Sequence, residues 1–403
     1  MRTYPSTGLL VRPLDPIEAM FAATGLHVGH TVRVRGQLNA AALAEAFDLL
    51  RRKYPMLSCR IVLDRTDRVV FEAADELPAL FSWTEKAGTR LPDLTDRVAA
   101  IHVARVDTET SLVTLLLHHA AADGRHGLQL MTELWAMYTA VVEGRAVHPD
   151  RQDYPRSVTQ LLDERGLLPQ DSALPDFAPA AGAAPSARSI GRARLTTEQT
   201  NSLVLTGHLA HTTINGLVSA ALLQATAEFA GVELPEVLYA YPVDLRTRLT
   251  PPVGRTEGTN VLGATTFTAH PGTPNSTFAL ARAVNAQLDR AITSGDLYRA
   301  VPRHFDPTDP AGLGLFSGPT SSMSTNWGVI PSLAMPDDLT VTDFIPSINT
   351  GSRHPANTLA VDLPYYSCIV TTFQGQLTLD LITGTDANTY AHRVAHLLTL
   401  ATA

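Results

Sequence analysis

The tightest constraint on this chain is a short apolar run that stops abruptly in two histidines, Leu115-Leu-Leu-His118-His119-Ala-Ala-Ala-Asp123-Gly124. Leu112 to Leu117 is mostly large and aliphatic, too short for a buried helix and suited to a strand covered on both faces. Successive side chains of a strand point to opposite faces, so one of His118 and His119 should face the interior and the other a cavity. After Gly124 the period changes. Leu128, Met131, Leu134, Trp135, Tyr138 and Val142 recur at helical spacing, which predicts a strand-to-helix turn at Asp123-Gly124 and a helix from about Arg125 to Glu143. Gly124 permits backbone angles that other residues resist, and Asp123 can accept hydrogen bonds from loop amides or an arginine. A lone core histidine is usually structural. A pair at the end of an apolar strand needs partners, however, and imidazole titrates close enough to neutrality to move protons. Metal binding is disfavoured, because neighbouring strand residues splay apart and the chain has no His-Glu-x-x-His and no Cys-x-x-Cys.

A chain of 403 residues has ample length for a core and suggests two large lobes or two to three domain-sized units. The net charge of -8 lacks the basic excess of a nucleic-acid binder. Cys59 and Cys368 are too few and too far apart for a disulfide scaffold and are expected to be free thiols. Neither a signal-length apolar stretch nor an 18-residue apolar run occurs, so no stable membrane insertion is expected and the protein is read as soluble and cytoplasmic.

Asp15-Pro16 predicts a helix start, followed by a strand at His30 to Val34 and an amphipathic helix from Leu38 to Tyr54, opened by Asn39 and stopped at Pro55. Met56 to Leu63 and Arg68 to Glu72 read as strands and Leu91 to Ala100 as helix. Ile101 to Val106 should pair antiparallel with the strand before His118. Composition then shifts to Pro, Ala and Gly, dividing the chain into an N-terminal lobe (1–170), a linker (171–188) and a C-terminal lobe (189–403). In the second lobe we expect a helix over Gly216 to Gly231, a strand over Val237 to Tyr241 and a helix over Ser276 to Ala291. A hairpin turning at Gln374-Gly375 and a final helix from Asn388 to Leu400 complete it.

His118-His119-Ala-Ala-Ala-Asp123-Gly124 resembles the His-His-x-x-x-Asp-Gly signature of the superfamily that includes condensation domains, polyketide-associated acyltransferases, wax ester synthases and chloramphenicol acetyltransferase. Pro242-Val-Asp244-Leu-Arg246 is similar to its Pro-Val-x-Leu-Arg segment, whose arginine pairs with the signature aspartate; the resemblance implies that Arg246 clamps Asp123. Thr259-Asn260-Val-Leu-Gly263 resembles a Gly-Asn-x-x-Gly segment and is read as structural. Ser322-Met-Ser324-Thr-Asn326-Trp327-Gly328 resembles the Ser-Asn-x-Gly strand beside the acyltransferase channel, implying that Ser324 and Asn326 position the substrate. The chain has no Asp-Phe-Gly-Trp-Gly sequence, which favours a freestanding acyltransferase over a peptide-synthetase module.

The implied fold is α/β, with two chloramphenicol-acetyltransferase-like lobes of mixed β-sheet and helices and an active-site channel between them. The implied chemistry is acyl transfer from a thioester to a hydroxyl or amine of a lipid, polyketide or related natural product. His119 is the expected base, His118 its structural neighbour, and Asp123, Gly124 and Arg246 hold the loop. No tightly bound cofactor is expected; the donor would be a phosphopantetheine-linked acyl carrier protein or coenzyme A thioester, and the acceptor a small alcohol or amine. Two alternatives remain open at this point: a related enzyme of cyclisation, elimination or epimerisation, and a non-catalytic protein that docks a carrier.

Overall fold

The computed structural model describes residues 9–66, 68–74, 76–86, 91–94, 97–168, 189–299, 301, 320–350, 365–384 and 386–402. The linker assigned to 171–188 and the turn-rich stretch at 302–318 lie outside the described residues.

The first half runs β1 (Leu10–Pro13), α1 (Pro16–Thr24), β2 (Leu26–Gly36), α2 (Ala40–Lys53), β3 (Cys59–Leu63), β4 (Val69–Ala73), β5 (Phe81–Thr84), β6 (Ala99–Arg105), β7 (Thr110–His118), α3 (Gly124–Val142) and α4 (Val158–Asp163). Local chemistry sets the helix starts. Asp15 caps α1 in a reciprocal box with Glu18, Asn39 caps α2 through the Ala42 amide, and Asp123 caps α3 through the His126 amide. β7 is central to a five-stranded sheet of order β12-β2-β7-β6-β5, and it pairs antiparallel with both β2 and β6. Its Val113, Leu115 and Leu117 face a core shared with Phe47, Leu134 and Trp135 of α2 and α3. Leu116 faces the other way, onto Ala100 and Leu94. The apolar run is therefore covered on both sides.

The second half continues β8 (Ser189–Arg194), α5 (Thr197–Leu209), α6 (Ile214–Ala230), β9 (Leu238–Asp244), β10 (Leu262–Phe267), α7 (Thr277–Thr293), α8 (Asp296–Arg299), β11 (Ser321–Val329), β12 (Leu339–Thr350), β13 (Tyr366–Phe373), β14 (Gln376–Thr383) and α9 (Ala387–Leu400). A mixed six-stranded sheet of order β10-β9-β11-β13-β14-β8 packs against a helical layer containing the buried α6, which is apolar around most of its circumference. The β13–β14 hairpin turns at Gln374-Gly375 as expected.

β12 belongs to the C-terminal half in sequence and to the N-terminal sheet in space. It pairs along β2 from Leu339 opposite Gly36 to Thr350 opposite Leu26. Pro346 sits on β12, an edge strand, the part of a sheet where proline is tolerated. Asp343 ties this strand back to the other sheet: it accepts from Arg192 Nη1 at 3.0 Å and from Arg194, while Arg192 also reaches the Phe344 carbonyl and Asp380.

Two expectations need correction. Residues 91–94 and 97–98 form no helix: Pro92 interrupts the run and Leu94 is buried against the sheet at Leu116. The strand expected from Met56 begins at Cys59, because Pro55–Ser58 forms a 3₁₀ turn. No helix among the described residues is long and apolar enough to cross a membrane.

Removing the Asp343 carboxylate leaves two part-buried arginines short of an acceptor. Asp343→Ala should lower unfolding free energy by about 2 kcal/mol, read from urea melts, as expected for hydrogen bonds to charged groups. No change would mean that β12 is held by its ladder alone.

Candidate active site

The loop between β7 and α3 is held from several directions. The His119 amide donates to the Leu26 carbonyl at 2.8 Å, and the His118 Nδ1 accepts from the Ala120 amide at 3.1 Å, turning the chain at once. His118 is buried with its ring edge-on to His27, centroids 5.1 Å apart. His119 is half-buried on the other side, its ring stacked flat on Phe21 of α1 with centroids 3.7 Å apart and planes 7° from parallel. The alternation of a strand end thus gives the two histidines different surroundings.

The C-terminal half closes on this loop through residues 258–261. Asn260 Nδ2 donates to the carbonyls of His119 and Ala120 at 2.8 and 3.1 Å, and Asn260 Oδ1 lies 3.2 Å from His119 Nδ1. The Asp123 amide donates to the Thr259 carbonyl at 3.0 Å. Asp123 Oδ1 accepts from the His126 amide at 2.9 Å, while Oδ2 accepts from Arg246 Nη1 at 2.8 Å and from the Val261 amide at 3.1 Å. Arg246 also donates to the Gly258 carbonyl at 3.3 Å and to Asp244 at 3.2 Å. On the far side, Thr259 donates its hydroxyl to Glu18, which holds Arg12 through two bonds of 2.7 and 2.6 Å. α1, which carries Phe21, is therefore fastened to the same strip that fastens the loop.

Burial governs the titration of these groups. Desolvation alone would raise the Asp123 carboxyl; the charge and hydrogen bond of Arg246, with the His126 amide, reverse this and leave it below the ordinary carboxylate value. Desolvation lowers His119, against the hydrogen bonds it makes to its own backbone carbonyl and to Asn260 and the charge of Asp123, all of which raise it. His27, His30 and His126 are pulled by burial to about 4. Asp15, buried beside Glu18, rises to about 6.

His119 and Asp123 line a cavity of about 1200 Å³, counting its open mouth, at the junction of the two halves. Its walls are mostly apolar: Ile17, Met20 and Phe21 from α1, Leu262 and Ala264 from β10, and Met323 from β11. Arg125, 3.7 Å from Asp244, adds a half-buried charged pair to the lining.

The structure separates the two residues expected to position substrate. Ser324 lies on the opposite face of β11, where its hydroxyl bonds Tyr239 at 2.6 Å, and Tyr239 in turn bonds Ser219 of α6 at 2.7 Å. The channel face carries Met323 and Thr325 instead, as the period of two requires. Asn326 does line the channel, and its Oδ1 accepts from the Gly328 amide at 2.8 Å across a bulge that takes Trp327 out of register. Gly124 is also corrected. It is not among the positive-φ glycines; its need is space, since a Cβ there would lie 2.5 Å from the Trp327 ring. Sequence reading missed Phe21, which carried no signal beyond its place on an amphipathic face, and treated Asn260 as structural although its motif stood out.

The fold is found in known acyltransferases and condensation domains. The structure of polyketide synthase associated protein 5 from Mycobacterium tuberculosis superimposes with a TM-score of 0.80 at 24% identity, covering 100% of this chain and 99% of that one. The first condensation domain of the calcium-dependent antibiotic synthetase gives 0.65 at 17% identity, covering 98% and 97%. The chain thus has the α/β, chloramphenicol-acetyltransferase-like fold of these structures. In sequence, a family model described as the phthiocerol/phthiodiolone dimycocerosyl transferase C-terminus matches residues 184–382. The phthiocerol/phthiodiolone dimycocerosyl transferase of Mycobacterium sp. (strain JLS) is 31% identical over 354 residues, 82% of this chain and 85% of that protein. That of Mycobacterium tuberculosis (strain ATCC 25618 / H37Rv) is 28% identical over 405 residues, covering 93% and 92%. The chain belongs to the phthiocerol/phthiodiolone dimycocerosyl transferase family of polyketide-associated acyltransferases and is an acyltransferase.

Two predictions arise from this geometry. Arg246→Ala strands the buried Asp123 carboxylate and should cost about 3 to 5 kcal/mol in denaturant melts, with turnover falling as the loop loosens; unchanged melting and turnover would contradict the clamp. The second concerns acid. Between pH 6.5 and 4 the unfolded chain protonates His27, His30 and His126 while the folded chain does not, so stability is full above pH 6.5 and falls as pH drops. Each group costs roughly 3 kcal/mol by pH 4; Asp15 acts oppositely between about 6 and 3.8, offsetting part. His30→Asn should flatten the slope of stability against pH by about one proton.

Proposed function

We propose that this acyltransferase moves an acyl group from a thioester to an acceptor hydroxyl or amine of a lipid or related natural product, with His119 as general base. The observation that carries this reading is an imidazole held flat on Phe21 at an apolar cavity bounded by both halves of the chain. The names of the relatives, dimycocerosyl transferases acting on phthiocerol or phthiodiolone, support a lipid acceptor and an acyl donor.

In this reading the acceptor oxygen or nitrogen attacks the thioester carbonyl and gives its proton to His119. The tetrahedral intermediate collapses with cleavage of the carbon–sulfur bond, and the imidazolium returns the proton to the leaving thiolate. Acid-base help of this kind contributes roughly 100- to 10,000-fold; positioning in the channel must supply much of the rest. The apolar walls suit an acyl chain and exclude water that would otherwise hydrolyse the donor. Arg125 offers a charge to a phosphate-bearing donor, whether a carrier-protein phosphopantetheine arm or coenzyme A. Neither donor is tightly bound; both are co-substrates.

The test is thiol release with product mass, from short and long acyl-thioesters offered with alcohols and amines. Release that requires an acceptor, yields an ester or amide, and falls by about 100- to 10,000-fold in His119→Ala at unchanged melting temperature is expected. A His119→Ala protein with full turnover, or an acceptor altered while the donor stays intact, would overturn it.

A further inference from the structure

We propose that Asn260, reaching across from the other half of the chain, is a positioning residue that fixes which nitrogen of His119 carries the proton. The inference rests on the reading of His119 as the base and concerns how that base is prepared.

The amide of Asn260 has only one orientation compatible with its neighbours. One end meets two backbone carbonyls, those of His119 at 2.8 Å and Ala120 at 3.1 Å. A carbonyl oxygen can only accept, so that end is the NH₂ group, which has two hydrogens to give. Exchanging the ends of the amide would set oxygen against two oxygens in a place where Asn260 is wholly buried. The other end is therefore Oδ1, an acceptor, and it lies 3.2 Å from His119 Nδ1. That nitrogen must be the donor. A neutral imidazole has one N–H, so Nε2 is left with the lone pair.

This is the form a general base needs, and it is not the form that free imidazole side chains favour, in which Nε2 bears the hydrogen. The His119 carbonyl accepts from Asn260 Nδ2, so one side chain contacts both the ring and the main chain that orients it. Phe21, stacked on one ring face, restricts rotation of the imidazole out of this arrangement. Preparation of the base consequently depends on residue 260 being docked: a chain whose halves have moved apart has the histidine without the hydrogen bond that selects its tautomer.

The experiment is nitrogen NMR of protein labelled at histidine, with the His119 signals assigned by their loss in His119→Ala, read alongside the pH profile of kcat. In the unaltered protein Nδ1 should be protonated and Nε2 bare at neutral pH; an Nε2–H signal there overturns the proposal without any variant. Asn260→Ala and Asn260→Asp then separate ring selection from general support. Both lose the two donations to carbonyls, but Asp retains an acceptor for Nδ1–H. Asp should keep the Nδ1–H form and shift the acidic limb of the profile to higher pH. Ala should populate the Nε2–H form and lower kcat by about 10-fold or more, with little change in KM. Equal tautomer populations in Ala and the unaltered protein would overturn the role of Asn260. Loss of turnover in His119→Ala is a separate matter, so a wrong assignment of the base and a wrong assignment of its positioner give different results.

Discussion

Asp123 and Arg246 meet at 2.8 Å, 1% and 3% exposed, where the loop before α3 meets the segment after β9. Two charges taken out of water lose more hydration than their attraction returns unless their remaining bonding capacity is filled. Here it largely is. Both carboxylate oxygens are occupied, one by the start of α3 and the other by Arg246 and the Val261 amide, although the Arg246 Nε finds no partner among the described residues. The pair therefore acts less as a source of net stability than as a register mark. It accepts one arrangement of the loop, of α3 and of residues 258–261, and the wrong arrangements leave a buried charge uncompensated.

That constraint propagates to the chemistry through short covalent distances. Asp123 is four residues beyond His119, and the strip that satisfies Asp123 through Val261 also presents Asn260 to the imidazole and Thr259 to Glu18 on α1. Fixing the ion pair thus fixes the ring, the helix that stacks Phe21 on it, and one wall of the channel. The crossing strand β12 and its Asp343 contacts hold the two halves together at a second place. The cavity is lined in part by Ile17, Met20, Phe21 and Tyr241, members of an apolar cluster that draws on both halves.

The legible portion of this fold was the part with a clear period. The switch from alternating to helical spacing around Asp123 placed β7, the loop and α3 to within a residue or two, and the His-His-x-x-x-Asp-Gly and Pro-Val-x-Leu-Arg likenesses put Asp123 and Arg246 together across more than a hundred residues. What failed had specific causes. The run Ser321 to Asn326 has Met323 as its one apolar residue, too little alternation to fix the phase of a strand, so Ser324 is expected on the channel where the structure has Thr325. β12 is not among the expected strands: Pro346 lies within it, and its partner β2 is roughly 300 residues away in sequence. Gly124 was recognised for its backbone freedom, whereas its role is to admit the Trp327 ring, a contact no local pattern contains. Asn260 illustrates the same limit: its amide matters through three partners, and all three lie in the other half of the chain.

The claim on which the account turns is that the Asp123–Arg246 ion pair organises the His119 loop, and a double-mutant cycle tests it directly. Thiol-release turnover and urea stability would be measured for Asp123→Asn, Arg246→Met and the double variant. If the two side chains act as one clamp, the double variant will be no worse than the poorer single one, with a coupling above about 1 kcal/mol in both readouts. Losses that simply add would show that each side chain serves the site independently, and the organising role given to the pair would be wrong.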